Sequence, residues 1–330
     1  MKRPPFHIIV ALACACVRLD AAAQTQPTSS SYPQRPIRIL QPAPPAGASD
    51  VILRMVAQHL SETLGQPAIV DNRPGAHGMI ANELAARARP DGYTLLYGTV
   101  GTIAINTGLY AKARYRMPAD FSPLTQFIDQ PNVVVVNAAL PVESLADLVQ
   151  LAKAKPGQLS FGSAGSGSAT HLGPEMFARR AGITLRHVPF KGAAAAAVGA
   201  AGGEVQVLFV SPVTAMPFVT SGKLKAVAIS SLQRVPALRA VPTIAESGYP
   251  DFSYSAWSGM LAPAKTPPPV VTKLHSELIR ILKTQELRDA VARDGSSVVW
   301  SETPERFGDF IRSEIVKWGK VIEQTGARVE

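Results

Sequence analysis

The chain predicts an α/β fold in two domains, each a mainly parallel sheet flanked by helices, and three observations carry that expectation. Strand-like and helix-like segments alternate along most of its length, the pattern of a parallel sheet with helices on both faces. One segment holds four consecutive valines, Val133, Val134, Val135 and Val136, as expected of a strand buried on both faces. The 330 residues also exceed what one hydrophobic core usually organises.

Taken in order, residues 37–40 read as the first strand. Residues 50–64 carry Ile52, Val56, Leu60 and Leu64 at i+4 spacing, one face of a helix that Gly65 stops. A strand over 67–70, a helix over 79–88 and a strand over 93–97 follow. The pattern then starts again with a strand over 132–137, a helix over 144–154, a strand over 159–162 and a helix from about residue 170 to Gly182. Pro174 is expected within the first turn of that helix, where its missing N–H costs little. Strands over 183–188, 205–210 and 224–230 complete a second sheet, with an alanine-rich helix after Lys191. Helices over 269–283, 286–294 and 304–323 close the chain.

Lys2 and Arg3, a short apolar stretch at 8–17, and Ala21, Ala22 and Ala23 ahead of Gln24 read as a secretory signal peptide over 1–23. The apolar stretch is too short to anchor the chain in a bilayer. The mature protein is therefore expected to be soluble and exported, beginning with a polar, disordered linker over 24–31. Both cysteines, Cys14 and Cys16, lie in the leader, so no disulfide or thiol chemistry is expected after cleavage. Acylation of one of them, the lipoprotein alternative, fits poorly with Arg18 and Asp20 close behind.

Two turns rich in small residues carry the chemistry. Ser163, Ala164, Gly165, Ser166, Gly167 and Ser168 join a strand to a helix, and Pro44, Pro45, Ala46, Gly47, Ala48, Ser49 and Asp50 do the same earlier in the chain. Such turns are expected to leave backbone N–H groups free at the positive end of a helix, which attracts anions. Two of them suggest a ligand whose carboxylates are gripped from two sides. Gly47 and Gly167 are expected where the ligand approaches closely or φ is positive. His171 is a candidate donor to a carboxylate, or else a packing histidine. Lys191 is a candidate counter-charge, or else a solvated lysine. Asp50 most simply caps its helix, since a carboxylate there would repel an anion.

Other chemistries find little support. The formal charge of +9 is spread over single Lys and Arg residues, without the basic runs and interleaved aromatics of a nucleic-acid surface. That balance favours anionic small molecules or serves solubility alone. No pair among the six histidines has metal-ligand spacing, the G-x-S-x-G elbow is absent, and Gly165-Ser166-Gly167 lacks the third glycine of a dinucleotide fingerprint. Neither a cofactor nor a metal is expected. A secreted hydrolase using Ser168 with His171 would lack an orienting acid.

At these residues the chain resembles the Bug family, the substrate-binding proteins of tripartite tricarboxylate transporters. The matching segments are Tyr32-Pro33-x-Arg35-Pro36-Ile37, Gly65-Gln66-Pro67, Asp71-Asn72-Arg73-Pro74-Gly75-Ala76 and Pro90-Asp91-Gly92-Tyr93-Thr94-Leu95-Leu96. Further on come the Ser163–Ser168 turn with His171-Leu172, His187-Val188-Pro189-Phe190-Lys191-Gly192 and Pro242-Thr243-Ile244-Ala245-Glu246. The resemblance implies a two-lobed periplasmic binding protein, with 32–131 and 253–330 in lobe 1, 132–252 in lobe 2, and a ligand cleft between them. It implies that backbone N–H groups of Ala46, Gly47, Ala48 and Ser49 in one lobe and of the Ser163–Ser168 turn in the other hold a small carboxylate, aided by waters. Asp50, Thr99, His171, Lys191 and Val210 are counted with the expected ligand-binding residues. Membrane transporter subunits are the implied partners, and a sensor kinase is the alternative. The chain departs from the family in two places: Ala46-Gly47 stands where a Gly-Gly pair is usual, and Val210 where an aspartate is frequent. A ligand with an uncharged or aromatic body is therefore expected in preference to an acidic amino acid.

Overall fold

In the computed structural model, which describes residues 32–110, 113–235, 238–293 and 295–326, the alternating segments form two sheets. The expected leader and linker lie outside the described residues. The first half contains β1 (Ile37–Gln41), α1 (Ala48–Leu64), β2 (Ala68–Asn72), a 3-10 turn (Ala76–Gly78), α2 (Met79–Ala86), β3 (Thr94–Thr99), a π-helical turn (Gly101–Ile105), α3 (Asn106–Leu109) and β4 (Phe121–Asp129). There follow β5 (Val133–Asn137), α4 (Leu145–Ala154), β6 (Ser160–Ser163), α5 (Ala169–Ala181), β7 (Arg186–Pro189), α6 (Ala193–Ala201), β8 (Val207–Val210), α7 (Pro212–Thr220) and β9 (Leu224–Ile229). The chain ends with β10 (Ser258–Pro263), α8 (Pro268–Leu282), α9 (Gln285–Ala292), β11 (Ser297–Val298) and α10 (Pro304–Thr325).

The first sheet has the order β11-β4-β10-β3-β1-β2 and the second β7-β6-β8-β5-β9. In the first, β1, β2, β3 and β4 share one direction, while β10 and β11 oppose it. In the second, β6, β7, β8 and β9 agree and β5 opposes them. The reversed interior strands, β10 and β5, are the first strands formed after the chain passes from one sheet to the other.

Period-2 alternation distributes the side chains of each strand to two faces. Ile37, Ile39, Leu95 and Tyr97 pack with α1, α8 and α9, whereas Leu40, Leu96 and Leu261 pack on the other side with Phe307 and Ile311 of α10. The valine run behaves as its composition requires: Val133 and Val135 join the cluster around Leu208 and Ala196, Val134 and Val136 join the one around Phe161 and Phe177, and all four are 0% exposed. That second cluster is continuous from one sheet to the other through Tyr254, Trp257 and Trp318.

The passages between the sheets are tied together. Ser230 N donates to Asn132 O (2.8 Å), Tyr254 N to Ser230 O (3.0 Å) and Ala256 N to Gln130 O (2.8 Å). The Ser230 hydroxyl donates to Tyr254 O (2.7 Å) and accepts from Asn132 N (2.8 Å). Helix α10 adds a brace: the buried Glu314 carboxylate accepts the indole N–H groups of Trp257 (2.7 Å) and Trp318 (2.9 Å) and an ammonium bond from Lys317 (3.0 Å). A further contact between the halves lies at Gly295 (φ +77°), packed so closely on Pro212 that a Cβ would come within 2.6 Å of the proline Cβ.

Three features differ from the sequence expectation. Strands β4 and β10 have no counterpart among the expected elements, because Pro123, Gly259 and Pro263 interrupt any local strand pattern. Their pairing carries register shifts at Ser258/Gly259 and Met260/Leu261, where the irregular residues are accommodated. Helix α5 begins at Ala169, so Pro174 falls in the second turn and removes one i→i−4 bond, in a ring that is itself buried. Helix α7 carries Pro212 at its first position and Pro217 inside it, and shows no apolar repeat that would announce it.

Gly259 marks the tightest point of the first sheet, since a Cβ there would overlap the Phe307 ring and approach Thr125 O to 2.8 Å. Replacement of Gly259 by Ala is expected to cost about 1–3 kcal/mol. Urea unfolding would read this as a lowered midpoint at unchanged slope.

Candidate functional site

The two turns sit at C-terminal ends of strands that have a parallel neighbour, the usual place for ligands in α/β sheets. The first follows β1, whose neighbour β3 ends at Thr99; the second follows β6, whose neighbour β8 ends at Val210. Lys191 lies just beyond β7 on an exposed loop.

The first turn is built around Asp50, which is 2% exposed. Its Oδ2 accepts from Ala46 N (3.0 Å) and Arg54 Nε (2.8 Å), and its Oδ1 from Asn72 Nδ2 (2.8 Å). The Arg54 guanidinium, with Asn72 and the Ala46 amide, outweighs burial and holds the carboxyl down at about 2. Asp50 is thereby engaged in holding the turn. Asn72 Nδ2 also donates to Ala43 O (3.0 Å), pinning the turn to β2. The left-handed residue here is Ala46 (φ +66°), whereas Gly47 is extended (φ −76°) with its nearest neighbour, Pro44 O, 3.9 Å from a would-be Cβ. The need for positive φ thus falls one residue earlier than expected. Gly47 O accepts from Asp50 N and Val51 N, so the bonding of α1 begins there and the amides of Ala48 and Ser49 lie in its uncapped first turn.

The second turn is bonded within itself. Ala164 N donates to Thr170 Oγ1 (2.9 Å), Gly165 N to Ser163 Oγ (3.1 Å), Gly167 N to His171 Nδ1 (3.0 Å) and Ser168 N to Gly165 O (3.3 Å). Ser168 Oγ donates to Gly165 O (2.7 Å). The turn therefore does not leave all its amides free, as the sequence suggested; side chains of α5 and β6 take several of them. Gly165 and Gly167 have φ of +135° and +76°, conformations that glycine adopts without strain.

Beneath the turn two imidazoles stack. The rings of His171 and His187 lie 3.8 Å apart at 22°, with Phe161 5.0 Å beyond His187. His187 Nε2 shares a 2.6 Å hydrogen bond with the buried Ser163 hydroxyl. Burial and the neighbouring His171 push His187 down to about 4, and burial lowers His171 as well, so the pair is neutral at pH 7. Because His171 Nδ1 accepts from Gly167, its proton sits on Nε2, the tautomer that can donate to an anion. The Ser168 hydroxyl bonds to Gly165 O and Thr170 Oγ1, and His171 Nδ1 is taken by Gly167 N, so a Ser168–His171 nucleophilic pair is not formed.

Ser163, Gly165, Gly167, Ser168 and His171 are thus brought together, and Phe190 N donates to Ser163 O (3.0 Å), which sets Lys191 at the same end of the sheet. Val210 is 1% exposed and pairs with Val133 in the second sheet's core. It leaves the end of β8 without a charge. Asn72, Thr170 and His187 escaped the sequence reading as site-building residues. Asn72 and His187 stood within quoted motifs, but their partners are 22 and 24 residues away.

The chain as a whole is similar to known proteins. Residues 52–327 match the family model described as the tripartite tricarboxylate transporter family receptor. The chain is 35% identical to protein BugT of Bordetella pertussis over 97% of this chain and 98% of that protein. Among solved structures, R. palustris Rpa4515 with adipate is similar at 31% identity and a TM-score of 0.77, covering 90% of this chain and all (100%) of that one. MatC from Rhodopseudomonas palustris with bound malate is similar at 30% identity and a TM-score of 0.73, over 88% of this chain and 100% of that one.

Two outcomes test the turns. Ala46→Gly removes a left-handed L-residue, a strain of roughly 1–2 kcal/mol, against about 0.5–1 kcal/mol of added chain entropy. A net stabilisation of up to about 1.5 kcal/mol is expected in urea unfolding. For His187, whose folded value lies below the ordinary 6.5, the unfolded chain takes up the proton first. The stability it contributes is complete above pH 6.5 and drains away as pH falls toward about 4. A His187→Gln variant should flatten the wild-type loss of midpoint across that window.

Proposed function

Because the chain belongs to the tripartite tricarboxylate transporter receptor family, we propose that it captures a small carboxylate in a cleft between its two sheets and delivers it to the membrane subunits of such a transporter. It is a periplasmic solute-binding protein and a receptor rather than an enzyme, as its family is.

The observation that carries the carboxylate reading is the pair of turns, each opening a long helix at the C-terminal end of a parallel strand pair. Each helix N-terminus offers an anion about 0.3–1 kcal/mol, and up to about 2 kcal/mol when partly buried. Together with the Nε2–H of His171 and direct amide bonds, this suffices for affinity on the order of micromolar. The adipate and malate of the similar structures are both carboxylates, which supports the same class here.

In this reading residues 32–131 and 253–330 form one lobe and 132–252 the other, and closure bends the passages at 130–132, 230 and 254–256. Their mutual hydrogen bonds favour a hinge that moves as one unit. Residues 1–23 direct export and are removed after Ala23, leaving the mature chain in the periplasm. No feature of the described residues favours the sensor-kinase alternative.

Native mass spectrometry of the purified protein is expected to reveal a co-purified carboxylate, and deletion of the chain should abolish uptake of that compound. A protein that binds no carboxylate by calorimetry, or uptake unaffected by deletion, would refute the proposal. Gly167→Val should abolish binding with a modest loss of fold stability, since φ +76° strains a β-branched residue and displaces the edge of the turn.

A further inference from the structure

A cavity of about 300 Å³ adjoins the first turn. Ser49 belongs both to the turn and to the cavity lining, so a ligand held at the start of α1 reaches the cavity without a gap. Ile52, Tyr97, Ile128 and Trp257 line it together with the polar Thr99 and Gln130, and Ser258 lies across the sheet from Thr99. Trp257 commits its indole N–H to Glu314, which leaves its carbon surface for the cavity. None of the lining residues is charged.

Ser258 is 4% exposed, and its hydroxyl is buried without a hydrogen-bond partner. Buried polar groups are nearly always paired in native proteins, so an unpaired hydroxyl beside a cavity points to a partner that arrives with the ligand. An ammonium or a second carboxylate seated here would be desolvated with no counter-charge, since Asp50 and Arg54 nearby neutralise each other. A neutral oxygen would complete Ser258 at no such cost.

We infer that this cavity is the far subsite of the ligand cleft, and that it selects carboxylates whose remaining body is uncharged, largely apolar and carries one neutral oxygen engaged by Ser258 Oγ. The inference rests on the carboxylate reading above and narrows it to a substrate class. The carboxylate stays at the helix N-termini, and the walls of Ile52 and Trp257 take the body. The size suits a small ring or a branched chain, since small-molecule pockets start at roughly 300 Å³.

Calorimetry with benzoate, 3-hydroxybenzoate, 4-hydroxybenzoate, succinate and glutamate tests it on the wild-type protein and on Ser258→Ala, with thermal melting to confirm that the variant is folded. At least one hydroxybenzoate is expected to bind more tightly than succinate and glutamate. Ser258→Ala should weaken that ligand roughly tenfold and leave benzoate unchanged. Tighter binding of succinate or glutamate than of every aromatic acid would overturn the inference while leaving the carboxylate reading intact. Equal effects of Ser258→Ala on benzoate and the hydroxybenzoates, or no effect on either, would overturn the role of Ser258. Absence of binding by the entire panel would overturn the inference and count against the carboxylate reading itself.

Discussion

The two chain passages between the sheets meet at Ser230, and the placement of both sheets depends on that meeting. Its backbone bonds Asn132 on one side and Tyr254 on the other, while its hydroxyl bridges the same two residues. Strand β5 starts immediately after Asn132 and β10 shortly after Tyr254. Each is an interior strand of its sheet. If the two passages came apart, neither sheet would have its reversed interior strand held in place. A shared hydroxyl with both its donor and acceptor roles satisfied is an economical way to hold three backbones at one level while leaving them free to bend together.

The brace behind this meeting point has a different character. Glu314 is a buried carboxylate, and such a group is costly unless hydrogen-bonded on all sides. Two indole N–H groups and Lys317 meet that need, and they tie α10 to β10. The same helix lies against α5 of the other half through the Arg179 bond to Gln324 O, and it sets Trp318 edge-on to Tyr254 of the second passage. The continuous cluster of Tyr254, Trp257 and Trp318 means that movement at the passages is opposed by apolar packing on one side.

The two turns reach rigidity by opposite electrostatic routes. In the first, a fully ionised carboxylate stands behind the backbone, balanced by Arg54, and forces even an alanine into the left-handed region. In the second, two neutral imidazoles stack beneath the backbone and contribute no charge. In the proposed reading, a carboxylate would meet the positive end of a helix with its own acid already neutralised in one turn, and a neutral donor surface in the other. Both arrangements keep the donors in place before any ligand arrives, which lowers the ordering cost of binding.

What the sequence by itself determined is local: helices with apolar spacing, such as α1, the doubly buried valine strand, and the two small-residue turns at strand-to-helix junctions. Each of these depends on neighbours within a few residues, through i+4 spacing, alternation or the lack of a Cβ. The family-like motifs added the expectation of a carboxylate receptor. Only the tertiary structure decided the rest, because the deciding partners are distant in the chain. Strands β4 and β10, interrupted by Pro123 and Gly259, exist through pairing between residues more than a hundred positions apart, which supplies the hydrogen bonds their composition discourages. The amides of the second turn are bonded or free according to where Thr170 and His171 come to lie, and His187 becomes part of the site only because β7 is laid beside β6. Ser258 lies in a stretch to which the sequence reading assigns no element, and only the placement of β10 next to Thr99 buries its hydroxyl away from water with no protein group to replace it.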